Sequence, residues 1–299
     1  MKKTISIIDL GTNSVLLLIT EKQNTHWSVL YRDAKTSLLG KGMKNGLLTG
    51  NAIKRAEDIL KEYISVSKKF NCNKIIIIGT SASREAKNIT KISDWLKINY
   101  GLPFYILSEN EEIKCIYSAN IKEFPEFHNM LIFDIGGGNT ELILIYDNNI
   151  LVQKSLKIGV RRLNNQFHKP QPKINYIKEM LNKSKIKNKI SFSFDTIGVG
   201  GTVTTLVAVK NKLQKYIPEK VHKQILTKAD VIKFVKLWPS ISDNEAKKLI
   251  PFDPLRADVL LSGSLILKEI FNYFSIEKIY VSDCGLQFGV LYNNSSWDL

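Results

Sequence analysis

One pattern occurs twice in this chain, and it constrains the fold more than any other feature. Ile7-Ile8-Asp9-Leu10-Gly11-Thr12-Asn13-Ser14 leads into the apolar run 15–19, and Ile132-Phe133-Asp134-Ile135-Gly136-Gly137-Gly138-Asn139-Thr140-Glu141 leads into the apolar run 142–145. Short Ile-rich runs bounded by Gly and Asn are strand and hairpin signals, so each copy reads as strand, aspartate, glycine-polar turn, strand. Two further matches follow in the same order. Residues 74–78 run into Gly79-Thr80-Ser81-Ala82 as 195–197 run into Gly198-Val199-Gly200-Gly201-Thr202, and both lead into helix-compatible sequence. Residues 104–108 then open a helix near Glu109, and 279–283 open one near Gly285. Three shared elements in one order point to a duplication, and internal similarity of this kind decides the architecture.

The 299 residues suit two such halves, since a domain takes about 150 residues on a soft prior. Ile53, Ala56, Leu60, Tyr63 or Ile64, and Val66 recur at helical spacing after Asn51, with Lys54, Arg55, Lys61 and Glu62 on the other face. Strands alternating with amphipathic helices give α/β domains with sheets covered by helices. The junction is expected in residues 122–127, which makes 1–125 an N-terminal domain and 126–299 a C-terminal one. A cleft then lies between the halves, with the glycine turns of both facing it.

Composition excludes several classes. The hydrophobic share of 44% and charged share of 24% are those of a globular chain. Asp9 and Asn13 interrupt the apolar stretch behind Met1-Lys2-Lys3, so it lacks the uninterrupted core of a secretory signal. No run reaches the roughly 18 apolar residues of a membrane span. The expectation is a cytoplasmic protein without membrane association. Cys72, Cys115 and Cys284 are far apart and odd in number, which argues for reduced thiols over disulfides or structural zinc. The four histidines are equally scattered. The net charge of +15 attracts polyanions. Seven lysines fall within 169–189 and eight within 210–236. No nucleic-acid motif accompanies them, so charge alone would speak for a nucleic-acid partner.

A glycine-rich turn after a strand lets backbone N–H groups surround phosphate oxygens. Gly11, Thr12, Asn13 and Ser14 form one such turn, and Gly136, Gly137, Gly138, Asn139 and Thr140 a second. Gly200, Gly201 and Thr202, just ahead of a helix, form a third, aided by the positive end of that helix. Asp9, Asp134 and Glu141 are carboxylates placed for a metal, and Mg²⁺ or another divalent cation prefers one or two carboxylates completed by water and substrate phosphate. Short acids also bond their own turns. Ser108-Glu109-Asn110-Glu111-Glu112 stands at a strand-to-helix junction, where acids ordinarily serve the helix dipole. From the residue types, any of these glutamates could be a base.

Taken together, these motifs resemble the exopolyphosphatase/guanosine pentaphosphate phosphohydrolase family, a branch of the actin-like ATPase superfamily. The resemblance rests on 9–14, on 80–88 with Arg84, on 134–142, on Gly200-Gly201-Thr202, on Arg256-Ala257-Asp258 and on Ser282-Asp283-Cys284-Gly285-Leu286, in that order. It implies two actin-like (ribonuclease H-like) domains of the short, two-domain type, and it admits a homodimer. It implies that Glu112 is the catalytic base, that Asp134 and Glu141 hold the metal, and that Arg84 neutralises substrate phosphate. The implied reaction is hydrolysis of the terminal phosphate of inorganic polyphosphate, or of guanosine pentaphosphate in the same site. A small-molecule kinase and a non-catalytic sensor of polyphosphate or alarmone are the rival readings. The chain departs from the family pattern at Glu109 for glycine, Ile113 for alanine, Lys114 for arginine, Asn139 for serine and Leu38 for a basic residue.

Overall fold

The computed structural model describes residues 3–24 and 26–293; Met1 and Lys2 at the basic start, and the end of the expected second domain, lie outside them. The chain is α/β and divides into two compact units. Residues up to Cys115 and from Leu286 onward form the first, and Ile116–Gly285 form the second.

In the first unit, β1 (Lys3–Leu10), β2 (Ser14–Gln23), β3 (His26–Thr36), β4 (Lys74–Gly79) and β5 (Phe104–Ile106) make one sheet in the order β3-β2-β1-β4-β5. Its helices are α1 (Gly50–Lys69), α2 (Ser81–Glu85), α3 (Thr90–Tyr100) and the start of α4 (Glu109–Glu123). Both faces of β1 are covered. Ile8 and Leu10 pack with Ala56 and Leu60 of α1 and Leu96 of α3, while Ile5 and Ile7 pack with Leu286 and Val290 from the C-terminal helix. A strand buried on both faces reads as a near-continuous apolar run, and each isoleucine so buried contributes about 1.5–3 kcal/mol. Helix α1 starts at Gly50, ahead of the expected point, because the Thr49 side chain caps it by accepting the Ala52 N–H at 3.2 Å. Tyr63 and Ile64 are both buried, Val66 is half-buried, and Ser67 takes the inner position expected for Val66. The Ser67 hydroxyl is satisfied there by Ser6 Oγ and the Tyr63 carbonyl, both at 2.7 Å, which an apolar stripe does not register.

The second unit holds β6 (Met130–Ile135), β7 (Thr140–Tyr146), β8 (Asn149–Leu156), α5 (Val160–Gln166), α6 (Pro170–Ser184), β9 (Asp195–Val199) and α7 (Gly201–Lys210). It continues through β10 (Ile225–Thr227), α8 (Lys228–Leu237), α9 (Asp243–Leu249), α10 (Leu260–Phe274) and β11 (Lys278–Ser282). Its sheet runs β10-β11-β9-β6-β7-β8. From the far edge, β8-β7-β6-β9-β11 repeats β3-β2-β1-β4-β5 strand for strand, with β10 added at the end. The registers repeat as well: Asp9 pairs with Leu16, and Asp134 with Glu141, at the same offset from their turns.

The division differs from the expected junction in 122–127. It falls inside α4, where an unbroken helix gives no compositional mark, and Phe124 and Phe127 stack 5.8 Å apart within the second unit. Residues from Leu286 return to the first unit as α11 (Leu286–Tyr292). Gln287 Nε2 there donates to the Ile7 carbonyl at 2.7 Å, and Gly289 lies so close that a Cβ would sit 2.0 Å from the Cys115 carbonyl oxygen. None of the three cysteines is in a disulfide; burial pushes the Cys115 thiol up to about 12 and Cys72 up to about 11. No helix among the described residues is long and apolar enough to cross a membrane.

Candidate active site

The two hairpin turns are held by their carbonyls. Gly11 N–H donates to the Ser14 carbonyl and Gly136 N–H to the Asn139 carbonyl, each at 3.0 Å, so both turns close identically. Beyond that closure, the Thr12 carbonyl accepts from Gly40 N–H at 2.8 Å and the Asn13 carbonyl from Ser37 and Leu38 N–H at 3.0 and 2.9 Å. In the second unit, Val160 N–H donates to the Gly136 carbonyl (3.1 Å), Arg161 and Arg162 N–H to Gly137 (2.8 and 3.1 Å), and Arg162 Nε to Gly138 (2.7 Å). A planar trans peptide sets its C=O and N–H in opposite directions. With the carbonyls drawn back, the N–H groups of Asn13 and Ser14, and those of Gly137, Gly138 and Asn139, are directed to the other side. That arrangement suits an anion. Gly159 makes it reachable in the second unit, since a Cβ there would lie 2.3 Å from the Gly138 carbonyl carbon.

Some side chains of the expected phosphate turns have structural duties. Thr12 Oγ1 accepts the Ala82 N–H at 3.1 Å, and the buried Thr140 hydroxyl donates to the Ile158 carbonyl. Thr202 is buried against Gly263, where a Cβ would meet its methyl at 2.7 Å. These threonines shape the turns.

Asp134 and Glu141 stand directly opposite each other across β6 and β7, on the face away from Phe133 and Leu142. Like charges in that position repel, and Glu141 is buried. A hard divalent cation resolves such a pair, so the donor set fits Mg²⁺. Asp134 is seated by Gly200: the backbone there has φ +92°, and a Cβ would lie 2.3 Å from Asp134 Oδ1. Asp9 occupies the matching place in the first unit, buried and facing Leu16. Arg256 and Asp258 of the Arg256-Ala257-Asp258 run pack beside this region. Arg256 lies against Gly201, where a Cβ would meet its guanidinium at 1.8 Å, and Asp258 grips Arg161 through two bonds of 2.7 and 2.9 Å.

The glutamates at the start of α4 separate by environment. Glu111 closes a capping box: its carboxylate accepts from Ser108 N–H and Oγ at 2.8 and 2.7 Å, and its own N–H donates to Ser108 Oγ at 3.3 Å. Those bonds hold its carboxyl below the ordinary range. Burial pushes the Glu112 carboxyl above that range; Arg84 opposes the shift and Glu109 adds to it. Arg84 Nη1 donates to Glu112 Oε2 at 2.6 Å and to the Leu107 carbonyl at 2.8 Å, while the buried Nη2 has no hydrogen-bond partner among the described residues. A buried carboxylate with a raised pKa is what a general base working near neutrality requires.

Comparison with known proteins fixes the lineage. Residues 18–296 match the model of the Ppx/GppA phosphatase family. The chain belongs to the Ppx/GppA phosphatase family. A bifunctional 3-dehydroquinate synthase/phosphatase of Fusobacterium nucleatum is 34% identical over 92% of the chain, which spans only 44% of that protein's length. Exopolyphosphatase 2 of Mycobacterium tuberculosis is 23% identical, over 96% of this chain and 97% of that one. The crystal structure of an exopolyphosphatase from Cytophaga hutchinsonii is similar with a TM-score of 0.88 and 27% identity, covering 98% of both chains. The two sheets are thus those of the two-domain, actin-like Ppx/GppA fold.

Within this Ppx/GppA chain, several residues of the site carried no signal in the sequence reading. Gly159, Arg162 and Ser155 act through contacts 14 to 24 positions away along the chain. The Ser108-x-x-Glu111 spacing, by contrast, is a capping-box signature that sets Glu111 apart by itself. The lysine tract 169–189 is not uniformly a solvated face. Lys173 is buried, bonded to Asn164 Oδ1 at 2.6 Å and Ser262 Oγ at 2.8 Å, and burial lowers its pKa. A second group of potential ligands, Glu123, His222 and Cys284, gathers within 4.8 Å. There the Asp283 N–H donates to His222 Nδ1 at 3.2 Å, which leaves the ring proton on Nε2, 3.3 Å from Glu123. A metal-bound imidazole ordinarily donates its second N–H, whereas Nδ1 here accepts, so this cluster does not read as a metal site.

Proposed function

We propose that this chain is a phosphoric anhydride hydrolase that removes the terminal phosphate of inorganic polyphosphate. The observation that carries the reading is the Glu112 carboxyl: buried, raised in pKa and held by Arg84, while its neighbour Glu111 is committed to the helix cap. Glu112 takes a proton from water as its oxygen bonds to the terminal phosphorus. The P–O–P bridge breaks, and the shortened chain leaves with the bridging oxygen and its electron pair. The N–H groups of both hairpin turns and the Gly200–Gly201 turn bind phosphate oxygens, and Arg84 Nη2 supplies a donor to them. Asp134 and Glu141 would hold Mg²⁺ or another divalent cation. Such an ion, when bound, offsets the negative charge of the substrate. Phosphoryl transfer depends on positioning and electrostatic stabilisation, which is what these groups provide.

The test is phosphate release from long polyphosphate, short polyphosphate, guanosine pentaphosphate and ATP, each with and without Mg²⁺. Release from polyphosphate, lowered at least about 100-fold by Glu112→Gln with substrate binding retained, is expected. Release from guanosine pentaphosphate alone would move the substrate and keep the site. Binding without release from any of them would overturn the hydrolase reading in favour of a sensor, and ATP consumption requiring a second substrate would point to a kinase.

A further inference from the structure

Glu141 is one of three residues in a row across the sheet. Asp134 pairs with Glu141 across β6 and β7, and Glu141 pairs with Ser155 across β7 and β8, so the three side chains share one face. Ser155 Oγ donates to Glu141 Oε1 at 2.9 Å and accepts from Asn139 Nδ2 at 2.8 Å. Asn139 Oδ1 in turn accepts from Arg162 Nη2 at 3.3 Å, and Arg162 Nε holds the Gly138 carbonyl. A hydroxyl has one proton. Because the Asn139 amide donates to it, that proton is directed at the carboxylate.

We propose that Ser155 is a positioning residue for the metal: it fixes the Glu141 carboxylate and, through Asn139 and Arg162, ties it to the glycine turn. The inference rests on the reading that Asp134 and Glu141 hold a divalent cation. Hydrogen-bonded partners of metal-binding carboxylates orient them, and losing one typically costs about 10–100-fold in metal affinity. Asn139, where the family pattern has serine, has both an acceptor for Arg162 and a donor for Ser155, so it can link the two. A serine would have to donate to Ser155 and accept from Arg162 through one oxygen on a shorter side chain.

The experiment is a titration of the metal-free protein with Mn²⁺, followed by electron paramagnetic resonance, without substrate. Ser155→Ala should weaken Mn²⁺ binding by about tenfold or more, with a melting temperature near that of the parent protein in the absence of metal. Ser155→Thr keeps the hydroxyl on a half-buried strand position that tolerates branching, and it should bind Mn²⁺ within about threefold of the parent, against the tenfold or greater loss in the alanine variant. Unchanged binding in Ser155→Ala, or a threonine variant as weak as alanine, overturns the proposal. Glu141→Gln is the control for the reading beneath it. If that variant binds Mn²⁺ like the parent, the metal site itself is wrong; if it loses the ion while Ser155→Ala does not, only the positioning role fails.

Discussion

Across β1 and β2 Asp9 faces Leu16, and across β6 and β7 Asp134 faces Glu141. The turns beside them close with the same hydrogen bond, and in both the following carbonyls are drawn back so that N–H groups are directed away. The duplicated halves therefore share a backbone device suited to anions and differ in charge. They also differ in what draws the carbonyls back: residues 37–40 in the first unit, and the N-terminal end of α5 in the second. The backbone arrangement and the carboxylate pair are thus separable. The first follows from the turn, whereas the second is one residue placed at a defined register position.

The largest effect is expected from making the hairpins alike. Glu141→Leu gives the second hairpin the residue of the first. Losing the cation forfeits several kcal/mol of transition-state stabilisation, so phosphate release should fall on the order of 10²–10³-fold. Stability should hold or rise, because replacing a buried acid that faces another acid removes a desolvation cost. A variant that keeps its turnover would show that the charge difference between the hairpins is irrelevant to function.

How far the sequence reveals this site depends on whether the chemistry is local in the chain. The aspartates, the glycine turns and the order of strands lie within short windows, and they are legible. The repeat of β3-β2-β1-β4-β5 in the second sheet follows from the same windows. Ser155 is joined to Glu141 only by β-pairing, and Gly159 to the glycine turn only by packing, so neither leaves a mark in its own neighbourhood. The division within α4 is invisible because an amphipathic helix continues through it. The capping box at Ser108 is a different case, since its spacing is present in the sequence and excludes Glu111 once it is read as a cap.

A middle-sized effect should separate the two ways of holding the turns. Gly159→Ala brings a Cβ within 2.3 Å of Gly138 and 2.5 Å of Gly137, all against backbone that cannot swing aside. Overpacking of this kind costs about 1–3 kcal/mol. The displaced turn should raise KM for the phosphate substrate more than about tenfold, since every 1.4 kcal/mol is a factor of ten in binding. The first hairpin is held instead by residues 37–40. A variant with unaltered KM would mean that the glycine turn of the second unit does not contact substrate.

The smallest effect concerns the acid near the start of α4. After β5 the first unit places Glu112, whereas after β11 the matching junction carries Gln287, committed to the Ile7 carbonyl. Glu112 must be ionised to accept a proton. Its folded pKa lies above the ordinary carboxylate value, so turnover should fall as pH drops through that raised value, and the acidic limb of kcat should sit above the usual glutamate range. Arg84 is the group that opposes the shift, while burial and Glu109 promote it. Arg84→Met should therefore move the acidic limb to still higher pH, by an amount smaller than the losses above. Glu111→Gln should leave the limb in place, because its carboxylate serves the helix cap. A limb that follows Glu111 and ignores Arg84 would transfer the base role from one glutamate to its neighbour.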